Sequence, residues 1–241
     1  FFNTHTHAAM TLLRGYADDM ELFTWLNDHI WPFEAKMTAQ DIYNGSRLAV
    51  LEMIRSGTTF FCDMYWMMEE TAKAVEEMGI RAALGVTLMD RLGEEKIAAD
   101  LRFLESWKSP CANRVELAIA PHAVYTAGPE LLERCAQAAR SNGQRLTIHV
   151  SETRQEVEDC IRARGMSPVR WLDKLGVLGP NVIAAHCVYV DPEEMDIMAE
   201  RGVTVAHNPC SNMKLASGIF PAAKFAASGC NITIGTDGTS S

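Results

Sequence analysis

Continuous apolar runs recur along the chain and are separated by segments with helical spacing. These runs predict strands over residues 1–7, 58–65, 81–88, 115–121, 145–150, 182–190, 203–207 and 231–236. Most of the runs are apolar throughout and do not alternate, which is typical of parallel strands that are buried on both faces. The pattern therefore predicts a parallel sheet with helices packed against it.

Helical spacing fills the intervals between the strands. Predicted helices cover residues 39–56, 69–78, 94–107, 129–142, 154–164, 168–176, 192–201 and 219–228. Gly79, Gly143, Gly202 and Gly229 each follow a helix and precede a strand, as glycines do in αβ loops.

The regular alternation favours one fold over another. It predicts an α/β fold, with a single catalytic (β/α)8 barrel domain over residues 1–241. An open doubly wound sheet is the alternative, but that fold requires a Gly-rich phosphate loop after an early strand, and the sequence has none. A strand begins at Phe1 and no helix follows the last strand, so we expect the chain to be truncated at both ends.

Composition narrows the class of protein. A chain of 241 residues that is 48% hydrophobic supports one large core. Its formal charge of −9 argues against a nucleic-acid partner. Seven cysteines without a CxxC pair argue against a disulfide framework and for a reducing, cytoplasmic location. The absence of a run of about 18 apolar residues predicts no membrane span, and a homo-oligomer is left open.

Polar side chains collect where the predicted strands end. These positions hold six of the seven histidines and an aspartate: His5, His7, His122, His149, His186, His207 and Asp237. Because the carboxyl ends of barrel strands meet at one rim, where catalytic groups converge, we expect these side chains to lie together. His29 is the histidine that falls outside this set.

Three histidines and one carboxylate predict a metal site. His5 and His7 lie two residues apart on a strand, so both point to the same face. His149 and Asp237 add a nitrogen and an oxygen ligand, a set that suits Zn²⁺, with Fe²⁺ as the alternative. A metal of this kind makes a bound water nucleophilic near neutral pH. An HxH pair alone is a weak signal, and its weight comes from the other two residues.

Two further residues fit roles in proton transfer. Glu152 follows His149 by three residues and is placed to carry protons, although it could instead be an N-terminal carboxylate of the helix that starts near Arg154. His186 is placed to hydrogen-bond the nucleophile or the leaving group. The alternative for His186 is a satisfied core histidine.

Taken in order, these motifs resemble the amidohydrolase superfamily. They include Asn3–His7 (NTHTH), Ala120–Thr126 (APHAVYT), His149–Thr153 (HVSET), Ala185–Cys187, His207–Pro209 and Gly235–Gly238. Within the superfamily the chain is similar to the cytosine/guanine deaminase and chlorohydrolase group, and to the 5′-methylthioadenosine/S-adenosylhomocysteine deaminase family in particular. The resemblance runs over essentially the whole chain.

The resemblance implies a role for each matched residue. It implies metal ligation by His5, His7, His149 and Asp237. It further implies Glu152 as the acid/base at a ring nitrogen, His186 beside the reacting water, and Asp237 as a group that helps to take the water's proton and contacts the substrate. Glu34, in the segment Trp31–Glu34 (WPFE), is implied as a ligand of the ribose hydroxyls. Its alternative is a solvated loop charge. His122 is implied as a substrate contact.

Some family features are missing or shifted. Members that bind the homocysteine tail use arginines after strand 3, where this chain has Arg91 and Lys96 in a loose match. Arg91 is therefore a substrate-binding candidate. Members with two metals use a modified lysine at the end of strand 4, where this chain has Pro121 and His122, so one divalent metal is expected. The family's small flanking β-sandwich is absent from this sequence.

The expected activity is metal-dependent hydrolytic deamination of an adenine nucleoside such as 5′-methylthioadenosine, S-adenosylhomocysteine or adenosine. The reaction would give ammonia and an inosine-type product, with a small-molecule purine nucleoside as the partner. Three alternatives stay open. The substrate could be guanine or another purine, pterin or triazine ring, the reaction could be hydrolysis of a cyclic amide, or the barrel could bind metal and ligand without turnover.

Overall fold

A computed structural model describes residues 1–108 and 114–241. Its eight strands form one parallel sheet in sequence order. The strands are β1 Phe2–Thr6, β2 Phe60–Tyr65, β3 Arg81–Leu88, β4 Val115–Pro121, β5 Leu146–Val150, β6 Val182–His186, β7 Thr204–His207 and β8 Asn231–Ile234.

The helices lie mainly between the strands. The α-helices are α1 Leu22–Thr24, α2 Trp31–Glu34, α3 Ala39–Arg55, α4 Met68–Met78, α5 Glu94–Ser106, α6 Pro129–Asn142, α7 Arg154–Arg164, α8 Pro168–Lys174, α9 Pro192–Glu200, α10 Pro209–Lys214 and α11 Ala222–Ser228. A π-helix, Trp25–Ile30, joins α1 to α2, and 3₁₀ helices cover Ala8–Leu13 and Asp90–Leu92.

Contacts between the first and last strands close the sheet into a barrel. Thr6 and Asp237 form a parallel bridge, and the Asp237 N–H donates to the His5 carbonyl at 3.0 Å. The Thr4 hydroxyl donates to the Thr233 hydroxyl at 2.7 Å. Closure brings the ends of β1 and β8 side by side, which is where the sequence places three of its four candidate metal ligands.

Local sequence rules explain the helix boundaries. Thr38 and Asp41 form a reciprocal capping box at the start of α3, and Asp191 and Glu194 form another at α9. Glycines in the left-handed conformation end α4, α6, α7 and α11. The capping side chains accept free backbone N–H groups at the helix starts. At the helix ends, glycine adopts the left-handed conformation without steric cost, which ends the helix at that residue.

The structure confirms the predicted (β/α)8 architecture and corrects it locally. All eight predicted strands are present, and most differ only at their ends by one to four residues. Four helical regions were not predicted: Ala8–Leu13, the run from Leu22 to Glu34, Asp90–Leu92 and Pro209–Lys214. Glu34 therefore lies at the end of a helix and not in a loop.

Two other observations bear on the compositional expectations. The cysteines of the described part of the chain, which leaves out Cys111, are all unpaired thiols, as the absence of a disulfide framework predicts. Among residues 1–108 and 114–241, no helix combines the length and the apolar character needed to cross a membrane.

Candidate metal centre and active site

Four side chains from the ends of two strands, β1 and β5, and from the loop after β8 converge inside the barrel rim. His5, His7, His149 and Asp237 each offer a ligand atom, and these atoms lie within 4.8 Å of one another. The Asp237 Oδ1 atom is 3.4 Å from the His5 Nε2 atom and 3.1 Å from the His7 Nε2 atom. In a tetrahedral zinc site, bonds of about 2.1 Å place neighbouring ligand atoms about 3.4 Å apart. These spacings fit one small cation.

Hydrogen bonds on the far sides of the rings prepare them to bind a cation. The His7 Nδ1–H group donates to the Met64 carbonyl at 2.6 Å, and the His149 Nδ1–H group donates to the His122 carbonyl at 2.8 Å. Each bond fixes the ring and leaves its Nε2 lone pair free, as in many metal sites. The His5 Nε2 atom is buried without a hydrogen-bond partner. An unpaired buried polar atom costs free energy of folding, and a bound cation would remove that cost.

Positive charge beside Asp237 is needed to stabilise its buried carboxylate. Burial opposes ionisation of Asp237, yet the contacts with His5 and His7 hold the pKa of its carboxyl well below the usual range. Burial would lower the pKa of His7, but contact with Asp237 outweighs it and raises the pKa to about 9. Burial dominates at His5 and lowers its pKa to about 4. A divalent cation would supply the same positive charge that a proton on His7 supplies.

Glu152 and His186 border the cluster. The His186 Nε2 atom lies 3.4 Å from the Asp237 Oδ2 atom and 3.7 Å from the Glu152 Oε2 atom. The Ser217 hydroxyl donates to the Glu152 Oε1 atom at 3.3 Å. Burial raises the pKa of Glu152, so the carboxyl holds its proton more readily than in water. His186 thus lies between two carboxyl groups, one of which can carry a proton.

His186 is held by two asparagines that the sequence did not single out. Its Nδ1–H group donates to the Asn212 Oδ1 atom at 2.9 Å, and the Asn208 side-chain amide lies 3.3 Å from its Nε2 atom. Burial would lower the pKa of His186, but the Glu152 and Asp237 carboxylates raise it above its ordinary value. The segment after β7 contributes both asparagines and Ser217.

An open cavity with two lobes leads away from the cluster. One lobe is bordered by Glu152, His186, Tyr125 and Leu215, and the other by Glu34, Trp31, Trp66 and Thr87. The lobes share His7, Trp25, Leu26 and His122. Their empty volumes, which include the open mouths, are about 310 and 370 Å³.

The predicted substrate-binding residues lie in this cavity or beside it. His122 lies between the lobes, and burial lowers its pKa to about 3, which keeps the ring neutral. Glu34 lies in the second lobe and accepts a hydrogen bond from the Trp66 indole N–H at 3.2 Å. Arg91 is exposed and lines neither lobe. Its guanidinium carbon lies 4.0 Å from the centre of the Trp31 ring, in an adjacent pocket that also contains Trp31 and Glu34. His207 stands apart and stacks on Phe220.

Comparison with known proteins identifies the family to which the barrel belongs. The sequence profile of the Amidohydrolase family matches residues 1–241. The chain belongs to the Amidohydrolase family.

Two curated relatives illustrate how near the similarity is. A 5′-deoxyadenosine deaminase from Methanosarcina mazei is 50% identical over 99% of this chain and 56% of its own length. A 5-methylthioadenosine/S-adenosylhomocysteine deaminase from Desulforamulus reducens is 48% identical over 100% of this chain and 56% of its own length. The chain therefore spans little more than half the length of these relatives.

A solved structure gives the same picture. The crystal structure of an adenosine deaminase from Xanthomonas campestris with bound zinc superimposes with a TM-score of 0.94. It is 37% identical and is covered over 56% of its length, while all of this chain is matched. The fold predicted from sequence and the family resemblance are thus both confirmed.

Proposed function

We propose that the full-length protein is a metal-dependent aminohydrolase that converts an adenine nucleoside to the inosine-type nucleoside and ammonia. The observation that carries this proposal is the placement of Glu152 and His186 against Asp237, at the edge of a cluster suited to one cation. The named activities of the relatives support the same reaction and extend the candidate substrates to 5′-deoxyadenosine. Residues 1–241 would form the single catalytic barrel domain of that protein.

His5, His7, His149 and Asp237 would hold the metal, which we propose to be a single Zn²⁺ ion. Three imidazoles and one carboxylate match the ligand preference of zinc, and the Xanthomonas structure carries zinc. A zinc ion bound here would supply an activated water and stabilise negative charge as it develops. The cavity beside the cluster is where the purine ring would lie.

The remaining steps fall to the chain's own side chains. Glu152, whose pKa burial raises, would donate a proton to N1 of the purine and so make C6 more electrophilic. His186 lies between Glu152 and Asp237 and would hydrogen-bond the oxygen that adds to C6. Asp237 would help to take the proton that this oxygen loses. Because all three groups are fixed on strand ends, little reorganisation is needed during the reaction.

The second lobe would receive the sugar and its 5′ substituent. Glu34 offers a carboxylate oxygen there for the ribose hydroxyls, and Trp31 and Trp66 provide apolar walls. Arg91, which stacks on Trp31 in the adjacent pocket, would contact a charged 5′ tail if the substrate has one. The presence of Glu34 favours a nucleoside over the alternative substrates, which are guanine and other free purine, pterin or triazine rings.

The unpaired thiols support a cytoplasmic location for the protein.

The test compares the full-length wild type with Glu152→Gln, after elemental analysis of both proteins. Ammonia release would be measured with 5′-methylthioadenosine, 5′-deoxyadenosine, S-adenosylhomocysteine, adenosine and guanine. We expect turnover of at least one adenine nucleoside, and a loss of about 10²-fold or more in Glu152→Gln at unchanged metal content. Glu158→Gln, on the exposed face of α7, is the matched control. Turnover of guanine alone would contradict the proposed substrate, and full activity in Glu152→Gln would contradict the role of Glu152.

A further inference from the structure

The turn that carries Glu152 has an unusual backbone. β5 ends at Val150 and α7 begins at Arg154, so the turn between them is short. Ser151 has a φ of 50° in this turn, a left-handed conformation that non-glycine residues rarely adopt. A conformation of this kind persists only where neighbouring groups hold it. The structure shows which groups do so.

Glu156 clamps this turn from the first turn of α7. Its Oε1 atom accepts the Ser151 N–H at 3.0 Å, and its Oε2 atom accepts the Glu152 N–H at 2.7 Å. The side chain is 1% exposed, and burial raises its pKa to about 7. The two oxygens of this buried carboxyl accept backbone N–H groups rather than those of a cationic side chain. Burial of a carboxyl without a cationic partner costs free energy of folding. The cost points to a role for the clamp.

The same peptide is tied to the segment that follows His186. The Val188 and Tyr189 N–H groups both donate to the Ser151 carbonyl, at 3.0 and 2.9 Å. The Cys187 N–H donates to the Val150 carbonyl at 2.9 Å. The turn is therefore held by Glu156 on one side and by the loop after β6 on the other. Loss of the Glu156 clamp would free the backbone of Glu152 while the metal ligands stay in place.

We propose that Glu156 is a positioning residue, which acts on the reaction through the backbone of Glu152. The inference rests on the proposed function of Glu152. Glu156 touches neither the cavity nor the metal ligands in the described residues. Its effect is to fix the direction in which the Glu152 carboxyl enters the cavity, a geometry on which proton transfer depends steeply.

The first test is Glu156→Gln in the full-length protein. Glutamine has nearly the same shape, but its NH₂ group would face a backbone N–H, so one of the two bonds is lost. We expect kcat to fall about 10- to 100-fold, as for other residues that orient a reacting group, with little change in KM and unchanged metal content. Glu158→Gln on the same helix is the isosteric control and should retain wild-type kcat.

A double mutant separates positioning from general destabilisation. If Glu156 acts only through Glu152, the variant Glu152→Gln/Glu156→Gln should be no slower than Glu152→Gln alone. Thr38→Ala, which removes the cap of α3 far along the chain, provides a destabilised control that should keep its kcat when assayed below its melting transition. Additive losses in the double mutant would overturn the proposal.

Amide hydrogen exchange gives a readout that does not depend on activity. The Ser151 and Glu152 amides should exchange faster in Glu156→Gln than in wild type, while amides of α3 are unchanged. Unchanged exchange at these two amides would overturn the clamp itself. A wild-type protein without deaminase activity would instead overturn the proposed function, so the two failures are distinguishable.

Discussion

Helix ends and strand ends use the left-handed backbone conformation in opposite ways. At the ends of four helices the residue with positive φ is a glycine, namely Gly79, Gly143, Gly165 and Gly229. Next to the metal cluster it is a residue with a side chain, namely Ser151, His186, Cys187 and Asp237. Glycine adopts this conformation without steric cost, whereas other residues do so at about 1–2 kcal/mol each.

The comparison shows where this fold accepts strain. Each of these four residues is a proposed reacting group or lies next to one: Ser151 precedes Glu152, and Cys187 follows His186. Four other non-glycine residues with positive φ lie elsewhere in the described chain, namely Ala17, Asp19, Met67 and Ala216. A side chain is required at His186 and Asp237, so glycine could not replace them whatever the backbone prefers. The four helix ends named above have no such requirement, and each of them uses glycine. Backbone strain at these four positions is expected if their side chains, or those of their neighbours, take part in the reaction.

The largest expected effect is at Asp237, where strain and charge coincide. Asparagine tolerates positive φ well, so Asp237→Asn keeps the backbone and removes the carboxylate. We expect the purified variant to bind much less metal and kcat/KM to fall more than about 10³-fold, because several kcal/mol of charge stabilisation are lost. Elemental analysis and a deaminase assay measure both. A variant that keeps its metal and most of its activity would show that the carboxylate is dispensable.

A smaller effect is expected at Ser151. Ser151→Gly relieves the left-handed strain and removes a buried hydroxyl that has no partner. Because the flexible glycine also costs folding entropy, the two effects oppose each other. The free energy of unfolding should therefore stay within about 1 kcal/mol of wild type. The freed turn should nevertheless lower kcat, by at most about 10-fold. Urea unfolding and steady-state kinetics test this. An undiminished kcat would break the link between strain and function at this turn.

The smallest effect on activity is expected at a helix end. Gly143 has a φ of 64°, and a Cβ added there would meet no atom within 4 Å, so Gly143→Ala acts through the backbone alone. The free energy of unfolding should fall by about 1–2 kcal/mol, with kcat unchanged. The same two experiments apply. A lower kcat without loss of stability would mean that helix ends and strand ends do not differ as described.

Strand alternation and the parallel order of the strands were enough to predict which side chains form the metal cluster. The two-residue spacing of His5 and His7 follows from strand alternation, and parallel strands bring His149 and the loop at Asp237 to the same rim. The barrel itself followed from the order of apolar runs. The predicted set of four side chains comes together in the structure, although the roles assigned to them stay predictions.

The groups that support the cluster were not predictable in this way. Asn212 lies 26 residues from His186, and Ser217 lies 65 residues from Glu152. Each contact depends on the path of a loop, which no periodicity encodes. For Glu156, a signal was available. A carboxylate in the first turn of a helix that follows a catalytic strand commonly binds backbone N–H groups, but that pattern alone does not tell a clamp from a solvated helix start.

The helical run from Leu22 to Glu34 was missed for a local reason. The π-helix Trp25–Ile30 breaks the 3.6-residue period, and Pro32 follows it closely. The buried positions Leu22, Trp25, Leu26 and Ile30 do have helical spacing, so a partial signal was present before Pro32. This irregular run forms one wall of the cavity, so local rules failed at a part of the molecule that is proposed to contact substrate.

The central claim is that four side chains share one cation, and anomalous diffraction from crystals of the full-length protein tests it most directly. Data collected on both sides of the zinc absorption edge should show one peak per chain, within about 2.3 Å of ligand atoms from His5, His7, His149 and Asp237. Elemental analysis of the same protein should give one zinc per chain. A peak bonded to other residues, or crystals of active enzyme without a peak at these four side chains, would contradict the account.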